Sequence, residues 1–151
     1  MRKLPTLLLA VASCASAQTV FPEKWVDAIE QIESGGRNVT GDKGLAKGYF
    51  QFHRGTWIDV SKLRREQGLK TYNYSFAGDK IISREYAITW LNYLHKELTK
   101  RIGREPFVNE LWMAYNMGLA GFAKINYQVC NATEKKYRTC MSLLLLTNKI
   151  K

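Results

Sequence analysis

The stretch AIEQIESGGRN, residues 28–38, combines a helical hydrophobic pattern with an abrupt stop. Trp25, Ile29 and Ile32 recur at the spacing of one helix face, which predicts an amphipathic helix. Pro22 favours a helix start just before them. The glycine pair at 35 and 36 ends the helix, because glycine readily adopts the left-handed conformation of a helix C-cap. We therefore expect a first helix that gives way to an irregular loop or a tiny hairpin.

Further helical patterns follow this stretch, and the clearest has apolar residues at every third or fourth position. The predicted helices cover about 55–66, 80–101, 106–117, 119–127 and 135–147. Residues 18–151 should form a single domain that is long enough to bury a core. The sequence predicts a predominantly helical α+β fold with a small loop or β-hairpin between the first helices.

The first 17 residues have the layout of a secretory signal peptide, with a basic start and a short apolar run. Ala15-Ser16-Ala17 offers the small-residue cleavage site. A second interpretation treats VASC, residues 11–14, as a lipoprotein site that would leave Cys14 acylated. The apolar run is too short to span a bilayer, and no other run reaches that length. We expect a secreted or periplasmic protein without an integral membrane segment.

The chain is strongly basic, with 23 Lys and Arg residues against 13 Asp and Glu residues. Removal of the signal peptide would take away Arg2 and Lys3 and leave a net charge of +8. This charge suits an anionic partner, and for an exported protein a bacterial envelope is a better match than nucleic acid. The alternative is that the surplus lysines only maintain solubility.

Cys130 and Cys140 are the two cysteines that follow the signal peptide. An even number in an exported chain suggests a disulfide, worth roughly 2.5 to 3 kcal/mol on the chain-entropy model. If one helix held both residues, they would lie about 15 Å apart, which is too far to bridge. Either the chain turns between them and the predicted disulfide forms, or they stay unpaired.

Several catalytic chemistries lack their motifs in this sequence. His53 and His95 are the only histidines, and no His-Glu-x-x-His pair exists. There is no Gly-x-Ser-x-Gly, no phosphate-binding loop and no dinucleotide fingerprint. We therefore expect neither a metal nor a cofactor.

Carboxylate chemistry remains, and Glu33 is its best candidate. Glycoside hydrolysis needs a carboxylic acid that stays protonated until it donates its proton to the leaving oxygen. Glu33 lies in the last turn of the first helix, next to the negative end of the helix dipole and on the same face as Glu30. Partial burial, the negative end of the helix dipole and the charge of Glu30 should all raise the pKa of Glu33. Glu30 itself is expected to be solvated.

Three short motifs extend this argument: IESGG at 32–36, GYFQF at 48–52 and AYNMG at 114–118. In order and rough spacing they resemble the motifs of the lysozyme-like, soluble lytic transglycosylase superfamily. The resemblance covers most of the chain after the signal peptide. It implies a lysozyme-like fold and cleavage of the β-1,4 bond between N-acetylmuramic acid and N-acetylglucosamine. Tyr49-Phe50 stands where the transglycosylases usually have Leu-Met, which is a departure from that branch.

The resemblance also implies roles for individual residues. Glu33 matches the family's acid/base, and Ser34 the residue that follows it. Gln51 matches the glutamine whose amide can hydrogen-bond a sugar. Tyr115 and Asn116 match the third motif, in which the tyrosine hydroxyl lies near the catalytic acid and positions it.

Asp42 is a second candidate catalytic carboxylate. The stretch GDKGLAKGYFQFHRGTW, 41–57, resembles a lysozyme-like variant, and Asp42 follows Glu33 by nine residues, similar to the Glu-Asp pairing of phage-type lysozymes. A second carboxylate would activate a water or stabilise an oxocarbenium ion, whereas a transglycosylase needs neither. Asp42 also fits a simple turn residue in Asp-Lys-Gly. Among the aromatic residues, we expect Tyr49 and Tyr115 to line the cleft.

The resulting hypothesis is a monomeric, exported enzyme that acts on peptidoglycan glycan strands, with hydrolysis and transglycosylation both open. The alternative is a non-catalytic wall-glycan-binding protein of the same fold. That alternative predicts glycan binding that survives Glu33→Gln, with no activity to lose.

Overall fold

The structure, a computed structural model, describes residues 17–149, and helices dominate this part of the chain. Its helices are α1 (Lys24–Ser34), α2 (Arg54–Glu66), α3 (Lys80–Ile102), α4 (Val108–Ala123) and α5 (Glu134–Lys149). Short 3-10 turns lie at Asp42–Gly44, Tyr74–Gly78 and Val129–Asn131. The predicted signal peptide, apart from its last residue, and the alternative acylation site at Cys14 lie outside the described residues.

A small antiparallel sheet fills the connection between α1 and α2. Its strands are β1 (Thr40–Gly41), β2 (Ala46–Lys47) and β3 (Phe52–His53), in the order β1-β2-β3. Thr40 pairs with Lys47, and Ala46 pairs with His53. The prediction of a predominantly helical α+β fold with a small hairpin between the first helices is therefore confirmed.

The sheet is fixed to the helical part of the molecule by close packing at Gly48, between β2 and β3. Gly48 has φ +80°, and a Cβ atom there would lie 1.8 Å from the carbonyl oxygen of Ala77. Only glycine fits this position, because both its backbone conformation and the approach of Ala77 exclude a side chain. The hairpin consequently packs directly against the Tyr74–Gly78 turn.

Glycines also determine where two helices end or bend. Gly35 has φ +66° and caps α1, with its N–H donating to the carbonyl of Gln31 at 2.9 Å. Gly118 has φ +72° and ψ +160°, so α4 bends there and continues to Ala123. The predicted break before Gly118 is confirmed, and the short helix predicted near 119–127 is the segment of α4 that follows this break and ends at Ala123.

The core forms around α3, which packs against α4, while α4 also packs against α5. Leu91, Leu94 and Leu98 are fully or almost fully buried along α3. Trp57 of α2 stacks on Tyr86 of α3, with ring centroids 3.7 Å apart. This packing holds the helices that surround the small sheet in one arrangement.

The predicted disulfide is not formed, and both thiols are free. Cys140 is buried in α5, where its Sγ lies 3.7 Å from the carbonyl oxygen of Asn109. Cys130 is exposed in the Val129–Asn131 turn. The chain does turn between the two cysteines, but the side chains have different surroundings. No helix between residues 17 and 149 is both long and apolar enough to cross a membrane.

Candidate active site

A cleft of about 960 Å³ lies where the small sheet faces α4 and the start of α5. Every helix and two of the three strands contribute to its lining. It brings together five of the predicted site residues, namely Glu33, Asp42, Gln51, Tyr115 and Asn116. Residues that are far apart in the sequence therefore share one solvent-accessible groove.

Glu33 is half-buried in the last turn of α1, and its surroundings favour the protonated form. Its Oε1 accepts a hydrogen bond from the indole N–H of Trp112 at 2.7 Å. Burial raises the pKa of Glu33 from 4.5 to about 7, while the Trp112 hydrogen bond and the charge of Lys136 act in the opposite direction. The pKa is raised as predicted, and burial is the main cause. A carboxyl group with such a pKa can hold its proton near neutral pH.

Glu30 is buried, so the expectation that it would be solvated was wrong. It is only 6% exposed, and its carboxylate oxygens lie 3.5 Å from Lys80 Nζ and 3.8 Å from Arg84 Nη1. Both cations belong to α3 and compensate the buried charge. The two glutamates of α1 thus have opposite surroundings, one with cations and one with an indole.

Trp112 is a site residue that the sequence reasoning missed. Trp112, Tyr115 and Asn116 stand at positions i, i+3 and i+4 of α4, which places them on one face of the helix. The AYNMG motif marked the last two, and a count of one turn backwards would have found the tryptophan. Its partner Glu33 is 79 residues away in the sequence, so no local pattern indicated the hydrogen bond.

Tyr115 connects α4 to the segment before β3. Its hydroxyl donates to the carbonyl oxygen of Phe50 at 2.6 Å, rather than to Glu33. Burial and the nearby carboxylate of Glu33 raise the pKa of Tyr115 well above its usual value, so the hydroxyl stays protonated. Tyr115 is therefore close enough to influence Glu33, but the direct hydrogen bond to that acid comes from Trp112.

Gln51 organises the hairpin through its side chain. Its amide nitrogen donates to the carbonyl oxygens of Val39 at 3.0 Å and Gly48 at 2.8 Å, and its own φ is +49°. Its Oε1 packs against the backbone of Gly41, where a Cβ atom would lie only 2.1 Å away. Both amide protons are thus used within the protein, and the hydrogen bond from Gln51 to a sugar stays a prediction.

Ser34 and Tyr49 lie outside the described lining of the cleft. The Ser34 hydroxyl is buried, donates to the carbonyl of Glu30 at 3.2 Å and accepts the N–H of Arg37 at 3.3 Å. These hydrogen bonds connect the end of α1 to the segment that follows it. Tyr49 packs against the core, with Lys80 Nζ 5.5 Å from its ring centroid. Ser34 thus makes local hydrogen bonds around the end of α1, and Tyr49 contacts the core and Lys80.

Asp42 faces the cleft from the sheet side. It has φ +45° in the Asp42–Gly44 turn, and its Oδ2 lies 3.3 Å from Nε2 of His53. Both side chains are about half exposed, so this contact is loosely held. His53 is a second lining residue that the sequence reasoning did not assign to the site.

The remaining cleft residues include a basic pair at the start of α5. Lys135 and Lys136 line the cleft, and Nζ of Lys136 donates a hydrogen bond to Oδ1 of Asn116. Trp90 of α3 also lines the cleft and is half-buried. No periodic pattern or motif in the sequence indicated that the lysine pair belongs to the site.

The arrangement can supply a proton near neutral pH in a groove that also holds a second carboxylate. Among residues 17–149, no group of three or more His, Cys, Asp or Glu side chains is placed to hold a metal ion. Comparison of the chain with protein-family models, with curated proteins and with solved structures gives no match.

Proposed function

We propose that the protein is a peptidoglycan-cleaving glycosidase with a lysozyme-like fold, either a muramidase or a lytic transglycosylase. It would cut the β-1,4 bond between N-acetylmuramic acid and N-acetylglucosamine. The observation that carries the proposal is the position of the Glu33 carboxyl group in an open cleft, beside Trp112, together with its raised pKa of about 7. The three motifs that meet near this cleft support the same conclusion.

Glu33 acts first as an acid in this mechanism. Burial keeps its proton in place until the glycosidic oxygen needs it, because the departing sugar oxygen must be protonated as the bond breaks. The carboxylate left behind accepts the indole N–H of Trp112, which stabilises its charge. Glu33 then acts as a base and removes a proton from the attacking group.

The identity of the attacking group separates the two possible reactions. In hydrolysis a water attacks, and Asp42 would either take the proton of that water in place of Glu33 or stabilise the oxocarbenium ion while Glu33 takes it. In transglycosylation the sugar's own hydroxyl attacks and yields an anhydro product.

The proposed signal peptide in residues 1–17 would export the enzyme, which we propose to be a monomer. Its positive charge would then hold it on an anionic wall.

The test is digestion of purified peptidoglycan, followed by mass measurement of the soluble products. Wild-type protein should release muropeptides, and Glu33→Gln should reduce the rate by at least about a hundredfold. Glu66→Gln is the matched control, because Glu66 is exposed at the end of α2. Products one water lighter than hydrolysis products would identify transglycosylation.

Two results would count against the proposal. Intact glycan after treatment with folded wild-type protein would refute the enzymatic function. If that same protein bound glycan strands, and Glu33→Gln bound them equally well, the glycan-binding alternative would replace it.

A further inference from the structure

A second cavity, of about 360 Å³, adjoins the cleft at the start of α5. It shares Glu33, Asn116, Lys135 and Lys136 with the cleft. The two lysines thus lie where the cleft and this side cavity meet. A ligand that extends sideways from a glycan in the cleft would enter the side cavity past both ammonium groups.

The polar groups of the side cavity suit an anion. Thr133 contributes a hydroxyl group and the two lysines contribute positive charge, while the Thr139 hydroxyl donates to the backbone carbonyl of Lys135 at 3.0 Å. In the part of the chain that the structure describes, neither lysine has a carboxylate within ion-pair distance, unlike Lys62 and Lys100. Their charge is therefore available to a ligand.

Opposing negative charge in the side cavity is small. Glu33 is the one acidic side chain among the described residues that line it, and its raised pKa leaves it partly protonated at neutral pH. Lys136 is held at the cleft by its hydrogen bond to Asn116. An arriving carboxylate would meet two cations and little repulsion.

The chemistry of the glycan provides such a carboxylate. N-acetylmuramic acid differs from N-acetylglucosamine by a lactyl ether, which ends in a carboxylate or continues into a peptide that carries its own carboxylates. A cavity of this size is at the small end of ordinary ligand pockets and accommodates such a branch.

Resting on the proposed function, we propose that the side cavity is a carboxylate subsite, in which Lys135 and Lys136 bind the acidic branch of a muramyl residue. The subsite makes the protein prefer anionic glycan over the same glycan without charge. Because the two lysines are partly exposed, we expect a five- to tenfold effect on KM, which decreases as salt is added.

The decisive comparison uses substrates that differ only in charge. Glycan strands stripped of their peptides carry free lactyl carboxylates, and conversion of these groups to methylamides removes the charge. Wild-type protein should show a five- to tenfold higher KM for the amidated strands. Strands that keep their peptides form a third arm, which identifies whether the lactyl group or the peptide supplies the carboxylate.

Variants test whether the lysines cause the preference. The double variant K135Q/K136Q should lose it, whereas K135R/K136R should keep it because the charges remain. The control is K62Q/K100Q, which removes the same charge from two exposed lysines that pair with surface carboxylates elsewhere. This control should retain the full preference.

Failure of this subsite is distinguishable from failure of the proposed function. Cleavage by wild-type protein with equal KM for the charged and amidated strands would overturn the subsite and leave the glycosidase intact. Equilibrium binding of the same strands to Glu33→Gln, with and without the lysine substitutions, needs no catalysis. Lysine-dependent binding without any cleavage by wild-type protein would support the subsite and overturn the glycosidase.

Discussion

Replacing Glu33 by glutamine should stabilise the protein, by an amount that grows with pH. Burial raises the pKa of Glu33 from 4.5 to about 7 in the folded protein, while the unfolded chain keeps the lower value. Between these pH values the folded state binds more protons than the unfolded state. The free energy of unfolding therefore falls as pH rises across this window. The contribution is fully present below about pH 4.5 and is lost by about pH 7.

The magnitude follows from the gap between the two pKa values. At about 1.36 kcal/mol per pH unit, the interval from 4.5 to about 7 corresponds to about 3 kcal/mol of unfolding free energy. Glutamine resembles the protonated acid, and its carbonyl oxygen can still accept the indole N–H of Trp112. The variant should thus match the wild type near pH 4.5 and exceed it by about 3 kcal/mol at pH 8.

Urea unfolding at pH 4.5, 6 and 8 measures this difference. Other titrating groups are the same in both proteins, so their effects cancel when the variant is compared with the wild type. Glu66→Gln, at an exposed position, should show a difference near zero at every pH. A Glu33→Gln effect that does not change with pH would refute the reasoning, because it would show that the carboxyl is not protonated more readily in the folded state.

Further predictions concern the acid and the hairpin. Glycan cleavage, measured as kcat/KM, should fall about tenfold per pH unit above pH 7, since only protonated Glu33 donates; a flat profile from pH 6 to 9 would contradict this. Trp112→Phe removes a hydrogen bond that lowers the pKa of Glu33, so the decline of kcat/KM should begin at a higher pH in this variant. A decline at the same pH as in the wild type would contradict the role of Trp112. Gly48→Ala should cost more than about 3 kcal/mol in urea unfolding, because of left-handed strain and the clash with Ala77. Gly44 also has a positive φ, +97°, but open space around it, so Gly44→Ala should lower the free energy of unfolding by only about 1 kcal/mol. An equal loss of stability in the two variants would contradict the packing argument at Gly48.

Local signals in the sequence were sufficient to predict the helices. The glycine pair after Ser34 ends α1 because a left-handed residue there closes the last turn, and this depends only on neighbouring residues. Gly118 follows the same logic. It was expected to separate two helices, and its non-helical φ and ψ do divide α4 into two helical segments.

The contacts that define the site could not be predicted in this way, because they join distant parts of the chain. The hydrogen bond from Trp112 to Glu33 spans 79 residues. The cations that accompany Glu30 belong to α3, and the lysine pair reaches the cleft only because α5 packs against α1 and α4. Composition was also misleading for the cysteines, since an even number says nothing about whether the side chains meet.

One short helix, α1, places its two glutamates in different surroundings. Glu30 is more buried than Glu33 but lies beside two cations, which compensate its charge. Glu33 has a neutral indole as its closest partner, and the described residues place no cation within ion-pair distance of it. An ammonium group at the position of the Trp112 N–H would oppose the effect of burial and lower the pKa. The proposed carboxylate beside Lys136 acts in the opposite sense. It offsets the lysine charge that lowers the pKa of Glu33, so binding of the anionic branch would favour the protonated acid that cleavage requires.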